Sequence, residues 1–428
     1  MDDPPIRLGE APSDKQRLAA VAASQNGPFY LYDLPRLLAR IHQVKEALGS
    51  DFRLYYAMKA NPNAELVRAI LSHCDGLDIS SAGELSQALR VGAAPATMSF
   101  AGPGKTATEL KQAIAAGIGS ISIESFNELQ RVQNIASGLG RVANISLRVN
   151  PAQRFPAFAI KMGGRPCQFG IDEEQLPDFI SQLTAANHCR LQGLHVYSGT
   201  QCLDEETLVD NLSHTLKIAT RLIQESGRPL ACINFGGGFG VDYHPGQKPL
   251  SLAALGPRLR STLARFKDQS DASHLIGIIE LGRFLVAQVG VYIARITDIK
   301  VSRGETFCIL EGGMNHHLAA SGHFGQVIRK NFRIINVSAA DGSPRQRVTL
   351  VGPLCTSLDL MGDRVELDQP EIGHAIAFLD SGAYGLTASP LGFLSHPPPA
   401  ELLWDRQQNL QVIRPSTCHP VLVNADTA

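Results

Sequence analysis

The fold is decided by one stretch of sequence, Arg53-Leu54-Tyr55-Tyr56-Ala57-Met58-Lys59-Ala60-Asn61-Pro62-Asn63, which predicts a strand that ends in a loop. Side chains alternate along a strand, so Tyr55, Ala57 and Lys59 share one face. Asn61-Pro62-Asn63 ends the strand, and an apolar helical run follows from Ala64 to Leu71. A lysine at a strand end usually points into water, but the small Ala57 leaves room beside Lys59 for a flat ring.

Strand-like and helical segments alternate on either side of this stretch. The eight strand-like segments lie near residues 53–58, 76–79, 97–100, 119–123, 142–149, 190–196, 231–235 and 275–280. Helical stretches lie between them, for example Ala82 to Val91, Thr106 to Ala116 and Leu203 to Glu225. This alternation predicts an α/β fold with a closed (β/α)8 TIM-type barrel, and a doubly wound open sheet is the competing fold.

Both ends of the chain have a different pattern of predicted secondary structure. Past residue 285 most segments are strand-like and few helical patterns intervene. We therefore predict a barrel over residues 35–285 and a C-terminal all-β domain, a β-barrel or sandwich, over residues 286–420. Residues 10–34 are assigned to the same β domain through a strand near Tyr30. Ser13 to Ser24 is predicted to be a helix with Ser13 as its N-cap.

Composition limits the classes of function. The chain has 428 residues, of which 44% are hydrophobic and 18% charged, with a formal net charge of −1. No basic stripe occurs, so a nucleic-acid partner has little support. The acidic start of the chain lacks the pattern of a signal peptide, and no run is long enough for a membrane helix, which predicts a cytoplasmic protein. Eight cysteines without a paired spacing indicate neither a disulfide framework nor a metal site.

Polar residues follow several predicted barrel strands, at the end where barrel active sites lie. Lys59 follows the first strand, His195 ends the sixth, Gly236 to Gly238 follow the seventh, and Glu280 and Arg283 follow the eighth. Three consecutive glycines let backbone N–H groups close around a phosphate, and Arg283 can add a bidentate contact. The plainer interpretation of the glycines is a flexible turn.

A lysine, a phosphate loop and a strand-end carboxylate together indicate pyridoxal 5'-phosphate. A partly desolvated lysine loses its proton more easily and can form a Schiff base. A carboxylate at Glu280 can hold the pyridine nitrogen protonated, so that the ring accepts the electrons left on Cα. The plainer interpretation of Glu280 is a salt bridge, with Arg283 or another basic residue as its partner.

Six motifs resemble, in their order, those of the diaminopimelate/ornithine/arginine decarboxylase family, the barrel-type (fold type III) group of pyridoxal phosphate enzymes. They are Tyr56-Ala57-Met58-Lys59-Ala60-Asn61, Ser80-Ser81-Ala82-Gly83-Glu84-Leu85, Gly236-Gly237-Gly238-Phe239-Gly240, Glu280 with Gly282-Arg283, Gly352-Pro353-Leu354-Cys355 and Gly382-Ala383-Tyr384-Gly385. The likeness covers roughly residues 28 to 402. It implies a homodimer with shared active sites, in which Cys355 of a second subunit reprotonates the Cα carbanion.

The resemblance also implies two sets of site residues. The cofactor contacts would be Lys59, His195, Tyr197, Thr200, Gly236, Gly237, Gly238, Glu280, Gly282, Arg283 and Tyr384. The substrate contacts would be Arg148, Lys161, His316, His317, Thr356 and Asp359. For His316 and His317 the plain interpretation as loop histidines weighs equally.

Three departures from the family pattern bear on the substrate. Tyr197 stands where the second histidine of a His-x-His motif stacks on the cofactor ring, and an aromatic side chain can still stack there. Thr356 stands where an acidic residue grips the distal amine of a diamino acid, although Asp359 lies close in sequence. The segment Met314 to His317 lacks the usual aspartate and the arginine that follows it.

These departures resemble a side branch of the family. That branch includes the glutamyl–carrier-protein decarboxylase of butirosin biosynthesis and siderophore enzymes that decarboxylate citryl-diaminopropionate. The chain is therefore expected to be an α-decarboxylase of an amino acid that is free, citrate-linked or carried on a protein. Diaminopimelate decarboxylase proper, an amino-acid racemase and a non-enzymatic pyridoxal phosphate carrier are the alternatives. Glu280 and Cys355 favour decarboxylation over racemisation, and the β domain counts against a single-barrel carrier.

Overall fold

The computed structural model describes residues 6–270, 272–324 and 329–416. The chain divides into two compact units. The barrel unit comprises Ile41–Val241 and Lys248–Gly282, and the β unit comprises Met1–Arg40, Asp242–Gln247 and Arg283–Ala428. Across the described ranges, no helix combines the length and the apolar character that a membrane crossing requires.

The helices are α1 Pro12–Ser24, α2 Leu34–Leu48, α3 Ala64–Leu71, α4 Ala82–Arg90, α5 Ala107–Ala116, α6 Phe126–Gly138, α7 Leu176–Ala185, α8 Glu205–Ser226, α9 Leu252–Gln269 and α10 Arg283–Val286. The strands are β1 Phe29–Asp33, β2 Phe52–Ala57, β3 Gly76–Ile79, β4 Met98–Phe100, β5 Ser120–Ile123, β6 Ala143–Asn150, β7 Ile160–Lys161, β8 Ile171–Asp172, β9 Cys189–Val196, β10 Gly199–Thr200, β11 Cys232–Asn234, β12 Ile276–Leu281, β13 Gly290–Ser302, β14 Glu305–Leu310, β15 Ile334–Asn336, β16 Arg345–Val351, β17 Leu360–Asp368, β18 Ala375–Phe378, β19 Ala400–Trp404 and β20 Leu410–Arg414.

Eight parallel strands close the barrel unit into a TIM-type barrel, which confirms the predicted fold class. Their order is β5-β4-β3-β2-β12-β11-β9-β6, and β6 pairs in turn with β5, so the ring is complete. The barrel strands are largely buried, as β3 is along its whole length, because side chains fill the barrel interior and helices cover its outside. The competing open sheet is wrong, since an open sheet has two edges.

Polar caps fix where the barrel helices begin. Asn63, Ser81, Thr106 and Ser125 each precede a helix and accept a hydrogen bond from a backbone N–H of its first turn. Each cap comes a few residues after a barrel strand, so it ends the βα loop at the face where strand-end side chains lie. These loops are therefore short and well anchored.

The β unit contains a sheet in the order β17-β16-β14-β13-β1-β19-β20, with β18 paired to β13 and β15 paired to β18. Strand β1 lies between β13, which is antiparallel to it, and β19, which is parallel. Apolar side chains from these strands pack on α1 in one core, in which Leu18, Leu31, Val291 and Leu402 are fully enclosed or nearly so.

The predicted N-cap of α1 is wrong. The helix begins at Pro12, one residue before Ser13, because proline fits the first helical position. The Asp14 carboxylate performs the capping instead, and it accepts hydrogen bonds from the N–H groups of Gly9 at 2.8 Å and Ala11 at 3.2 Å.

Candidate active site

Lys59 lies in a tight turn directly after β2. The turn Met58–Ala60 is a single 3-10 turn whose outer two side chains are buried, so Lys59 alone projects from it, with 43% of its side chain exposed. Its Nζ lies 4.0 Å from Asp78 Oδ2 and 5.6 Å from the centre of the Tyr197 ring. The amine is therefore held between a buried carboxyl and an aromatic face.

Glu280 lies one residue before the end of β12 and is buried. Its Oε1 accepts hydrogen bonds from Asn234 Nδ2 and, at 3.3 Å, from Ser99 Oγ. Ser99 Oγ also lies 3.1 Å from Asp78 Oδ1, so one hydroxyl joins two buried carboxyl groups. Burial first, and the neighbouring Asp78 second, raise the pKa of Glu280 to about 8. Glu280 is therefore a carboxyl that can hold a proton near neutral pH.

His195 faces Glu280 across the top of the barrel. Its Nδ1 lies 2.9 Å from Ser122 Oγ, and its Nε2 lies 3.6 Å from Glu280 Oε2, too far for a hydrogen bond. Nε2 is buried and has no hydrogen-bond partner within the described ranges. Burial lowers the pKa of His195 well below its ordinary value, so the imidazole is neutral. A buried ring nitrogen without a partner is typical of a group that contacts a ligand.

The glycines after β11 form a loop that admits no side chain. A Cβ at Gly236 would lie 2.4 Å from the Tyr197 ring, one at Gly237 would lie 1.9 Å from the Glu280 carbonyl oxygen, and one at Gly238 would lie 2.7 Å from the Gly199 carbonyl oxygen. Gly236 and Gly238 also have positive φ angles, of 63° and 84°. The loop is thus built of bare backbone beside the ring of Tyr197 and the strand of Glu280.

These features of the barrel unit fit the parts of pyridoxal phosphate. The Lys59 amine can bind the cofactor's aldehyde, and the Tyr197 ring can pack on a face of its pyridine ring. Glu280 can interact with the pyridine nitrogen, and the backbone of Gly236 to Gly238 can bind the phosphate. The barrel strands bring all of them to one end of the barrel. The fold and these residues together define a barrel-type pyridoxal phosphate enzyme.

The β unit holds a second group of sequence-predicted residues, around Arg283 at the start of α10. The Arg283 guanidinium donates to the Tyr243 hydroxyl at 3.4 Å and lies 4.5 Å from the centre of the Tyr384 ring. Tyr384 has a φ of 52°, and Asp380 in the same turn has a φ of 58°. Asp380 accepts a hydrogen bond from Arg7 Nε at 2.8 Å, which anchors this strained turn.

Cys355 lies in the loop between β16 and β17, and its thiol is exposed. The buried carboxylate of Asp359 stabilises this loop through hydrogen bonds to backbone N–H groups. Its Oδ2 accepts from Leu354 N at 2.9 Å, and its Oδ1 accepts from Met314 N at 2.7 Å. Both Asp359 oxygens are therefore engaged with backbone, while the adjacent Thr356 Oγ1 accepts from Leu358 N at 3.3 Å.

His316 and His317 lie inside the β unit rather than in an open loop. His316 Nε2 lies 3.0 Å from the Pro397 carbonyl oxygen, and His317 Nε2 lies 2.9 Å from Ser381 Oγ. Burial lowers the pKa of His316 to about 4 and that of His317 to about 3. Burial thus disfavours the charged imidazolium at both positions, and a role for His316 and His317 as substrate contacts stays a prediction.

Arg148 and Lys161 differ in their surroundings. Arg148 is buried in β6, where its guanidinium donates to Glu124 Oε1 at 2.8 Å and lies 4.8 Å from the centre of the Phe169 ring. Lys161 is exposed on β7, where it pairs with Gly199 of β10, and its neighbour Ile160 pairs with Thr200. Arg148 thus already has an ionic partner within the barrel unit, and a substrate role for it stays a prediction.

Sequence reasoning missed Asp78, Ser99 and Ser122, and treated Asn234 only as the end of a strand. A usable signal was present, since Asp78 occupies the same place in β3 that Glu280 occupies in β12, one residue before the strand ends. A polar residue at that point of a barrel strand is a candidate site residue.

Comparison with known proteins places the chain in a family. Residues 34–287 match the family described as pyridoxal-dependent decarboxylase, pyridoxal binding domain. The chain belongs to this family, and it is a fold type III pyridoxal phosphate-dependent decarboxylase of amino acids or their derivatives.

Individual relatives extend over nearly the whole chain. The L-glutamyl-[BtrI acyl-carrier protein] decarboxylase of Niallia circulans is 35% identical over 94% of this chain and 94% of its own length. The 2-[(L-alanin-3-ylcarbamoyl)methyl]-2-hydroxybutanedioate decarboxylase of Staphylococcus aureus (strain NCTC 8325 / PS 47) is 34% identical over 86% of this chain and 92% of its own. The crystal structure of diaminopimelate decarboxylase from Helicobacter pylori complexed with L-lysine superposes with a TM-score of 0.83 at 29% identity, covering 93% of this chain and 96% of that one.

Proposed function

We propose that the protein is an α-decarboxylase of an amino acid whose distal end is not a free amine. The observation that carries this proposal is the surroundings of Cys355. The residue after it is Thr356, which offers only a hydroxyl, and the nearby Asp359 is engaged by two backbone N–H groups. A buried ammonium without a carboxylate costs several kcal/mol, so a free diamino acid is a poor fit.

The barrel residues have separate proposed roles. Pyridoxal phosphate, when bound, supplies the electron sink for the bonding pair that the departing carboxylate leaves on Cα. Lys59 Nζ is the amine that binds the cofactor's aldehyde, and Tyr197 covers one ring face. Glu280 holds a proton at its carboxyl group for the pyridine nitrogen, and its raised pKa suits that task. His195 and Thr200 line the same end of the barrel.

Two groups of residues are proposed to bind the cofactor's phosphate. In the loop Gly236 to Gly238, the backbone N–H groups of Gly237 and Gly238 are proposed to bind it, as such groups do in anion-binding loops, while the Gly236 N–H donates to Asn234 Oδ1 at 2.9 Å. Arg283 and Tyr384, which lie together in the β unit, are proposed as further phosphate contacts. An arginine suits this task because its guanidinium can donate two parallel hydrogen bonds to phosphate oxygens.

Cys355 is proposed as the group that returns a proton to Cα, acting in the active site of a partner subunit in a homodimer. Its exposure on a loop that Asp359 stabilises supports this role, because a residue that acts in another subunit must be presented at the surface. A thiol can donate its S–H proton to a carbanion, so Cys355 is chemically suited to this step.

Two of the relatives, those from N. circulans and S. aureus, suggest which derivative is decarboxylated. One is named for a glutamyl group on an acyl-carrier protein and the other for an alanine joined through an amide, and neither name describes a free diamino acid. We propose a substrate of this derivatised class for the present chain. Lys161 and Arg165 lie in the long segment that joins β6 to β8, residues 150–171, and suit the negative charge of a carboxylate or of a phosphorylated carrier arm.

A carbon dioxide release assay tests the proposal. Catalytic efficiency would be compared on meso-diaminopimelate, lysine and ornithine and on glutamyl carrier protein and citryl-diaminopropionate. We expect at least one derivatised substrate to exceed each free diamino acid by a factor of 100 or more, roughly the discrimination that a few kcal/mol gives. Efficient turnover of meso-diaminopimelate would return the chain to diaminopimelate decarboxylase proper, the function of the Helicobacter protein.

A further inference from the structure

A cationic groove lies within the β unit, and none of the residues that line it has been assigned above to the cofactor or the substrate. Its volume is about 850 Å³, near the upper end of ligand-sized cavities. Six of the residues that line it are lysines or arginines and three are aspartates or glutamates, in a chain whose net charge is only −1. The cations are Arg7, Arg329, Lys330, Arg333, Arg345 and Arg364. Positive charge is thus concentrated here.

Some of these cations are neutralised inside the groove wall. Arg7 pairs with Asp242 at 2.9 Å and with Asp380 at 2.8 Å, and Arg333 pairs with Asp242 at 3.3 Å. Arg364 is exposed and lies 3.1 Å from Asp363. The pairs of Arg7 and Arg333 are buried or half-buried and leave little charge for a ligand, whereas the side chain of Arg364 is 57% exposed.

Arg329 and Arg345 are different, because their hydrogen bonds go to uncharged groups. Arg329 donates to the Leu360 carbonyl oxygen, and Arg345 donates to the Glu366 carbonyl oxygen at 2.6 Å. Neither guanidinium has a carboxylate within 4.0 Å among the residues that the structure describes. Arg345 is exposed, so its positive charge is available at the surface, whereas Arg329 is half-buried and interacts electrostatically with Asp363.

We propose that this groove docks an acidic acyl-carrier protein that presents the substrate on its phosphorylated arm; the inference rests on the proposed function. Charge complementarity argues for this partner, since clustered arginines attract a surface rich in carboxylates and bind phosphate bidentately. The N. circulans relative, whose name specifies a substrate on an acyl-carrier protein, supplies the kind of partner.

The test measures binding and turnover in matched charge-reversal variants. The groove variant is R345E/R364E, and the control is K300E/R303E, which makes the same change in net charge on the β13–β14 hairpin of the same unit. All four residues are exposed, and Arg303 and Arg364 share a positive φ. Binding of the cofactor-loaded enzyme to the unacylated holo BtrI acyl-carrier protein would be measured by fluorescence anisotropy at low and high salt.

We expect the groove variant to bind the carrier protein at least tenfold more weakly, with the control close to wild type and the wild-type affinity falling as salt rises. With glutamyl carrier protein as substrate, KM should rise by a similar factor at unchanged kcat, and KM for glutamyl pantetheine should stay constant. No carrier binding by the wild type, equal loss in both variants, or equal or tighter binding of RNA would overturn the docking proposal. Rapid turnover of free diamino acids would instead overturn the proposed function, so the two failures can be told apart.

Discussion

The hydroxyl of Ser99 joins Asp78 on β3 to Glu280 on β12. It lies 3.1 Å from the Asp78 carboxyl and 3.3 Å from the Glu280 carboxyl. Both carboxyls are buried, and burial raises the pKa of each. Like charges in a site of low polarity cannot both ionise easily. The pair therefore stores a proton close to where the pyridine nitrogen is proposed to lie.

The first prediction concerns turnover. Glu280→Gln should lower kcat by roughly two to four orders of magnitude, because a neutral amide cannot supply the proton to the pyridine nitrogen, and such electrostatic roles are worth about 3–5 kcal/mol. Cofactor absorbance should persist in the variant. Glu206→Gln, a surface change on α8, is the control and should be near wild type. Normal turnover in Glu280→Gln would mean that the residue is only structural.

The second prediction concerns stability and pH. The pKa of Glu280 is raised from 4.5 to about 8 in the folded protein, so the folded state binds a proton that the unfolded state releases. Stability of the cofactor-free protein should therefore fall as pH rises from 7 to 8, where ordinary carboxyls and histidines are deprotonated in both states. Urea unfolding should show this fall in the wild type and a smaller one in Glu280→Gln. Equal slopes in both proteins would contradict the assignment.

The third prediction concerns the homodimer. Lys59→Ala and Cys355→Ala should each be inactive, but mixed and exchanged subunits should recover about a quarter of wild-type activity. Half of the randomly formed dimers would be mixed, and each mixed dimer would hold one site with both residues intact. The measurement is activity after exchange under mild denaturant, with each parent treated alone as the control. If the mixture stays inactive while both parents remain folded, Cys355 does not act in a partner's site.

The fourth prediction concerns the loop of Cys355. Asp359→Asn should destabilise the protein by about 1–3 kcal/mol, because one of two buried charge-assisted hydrogen bonds to backbone would be lost. No room for rearrangement exists, since a Cβ at Gly313 or Gly352 would lie 2.2 Å from this carboxylate.

A substrate-binding role for Asp359 predicts a different outcome. In that case Asp359→Asn would change the preference between lysine and a derivatised substrate, with little effect on stability. On the present account the ratio of catalytic efficiencies stays constant while the urea midpoint falls. Chemical denaturation and a two-substrate assay on the same preparation separate these outcomes.

Much of the barrel could be predicted from sequence because its signals are local. The segment from Phe52 to Leu71 forms the predicted strand, turn and helix, since alternation, a polar stop and apolar periodicity each act over a few residues. The same holds for the positions of Lys59 and Glu280 near strand ends, while their roles in the site stay predictions.

The rest depends on contacts between segments far apart in the chain. Ser99 can join Asp78 and Glu280 only after the barrel has closed, and no local pattern specifies that contact. The burial of His316 and His317 likewise follows from packing in the β unit. A histidine pair in a glycine-containing segment looks exposed when only its neighbours in sequence are considered.

Thr356 is proposed to exclude a substrate with a distal ammonium group, and replacing Thr356 tests this exclusion. Catalytic efficiency on lysine and meso-diaminopimelate, relative to glutamyl carrier protein or citryl-diaminopropionate, would be measured for wild type, Thr356→Glu and the uncharged control Thr356→Gln. We predict that Thr356→Glu raises this ratio at least tenfold, because a carboxylate stabilises the ammonium, and that Thr356→Gln leaves it unchanged. Efficient decarboxylation of a free diamino acid by the wild type, or equal ratios in all three proteins, would contradict the account.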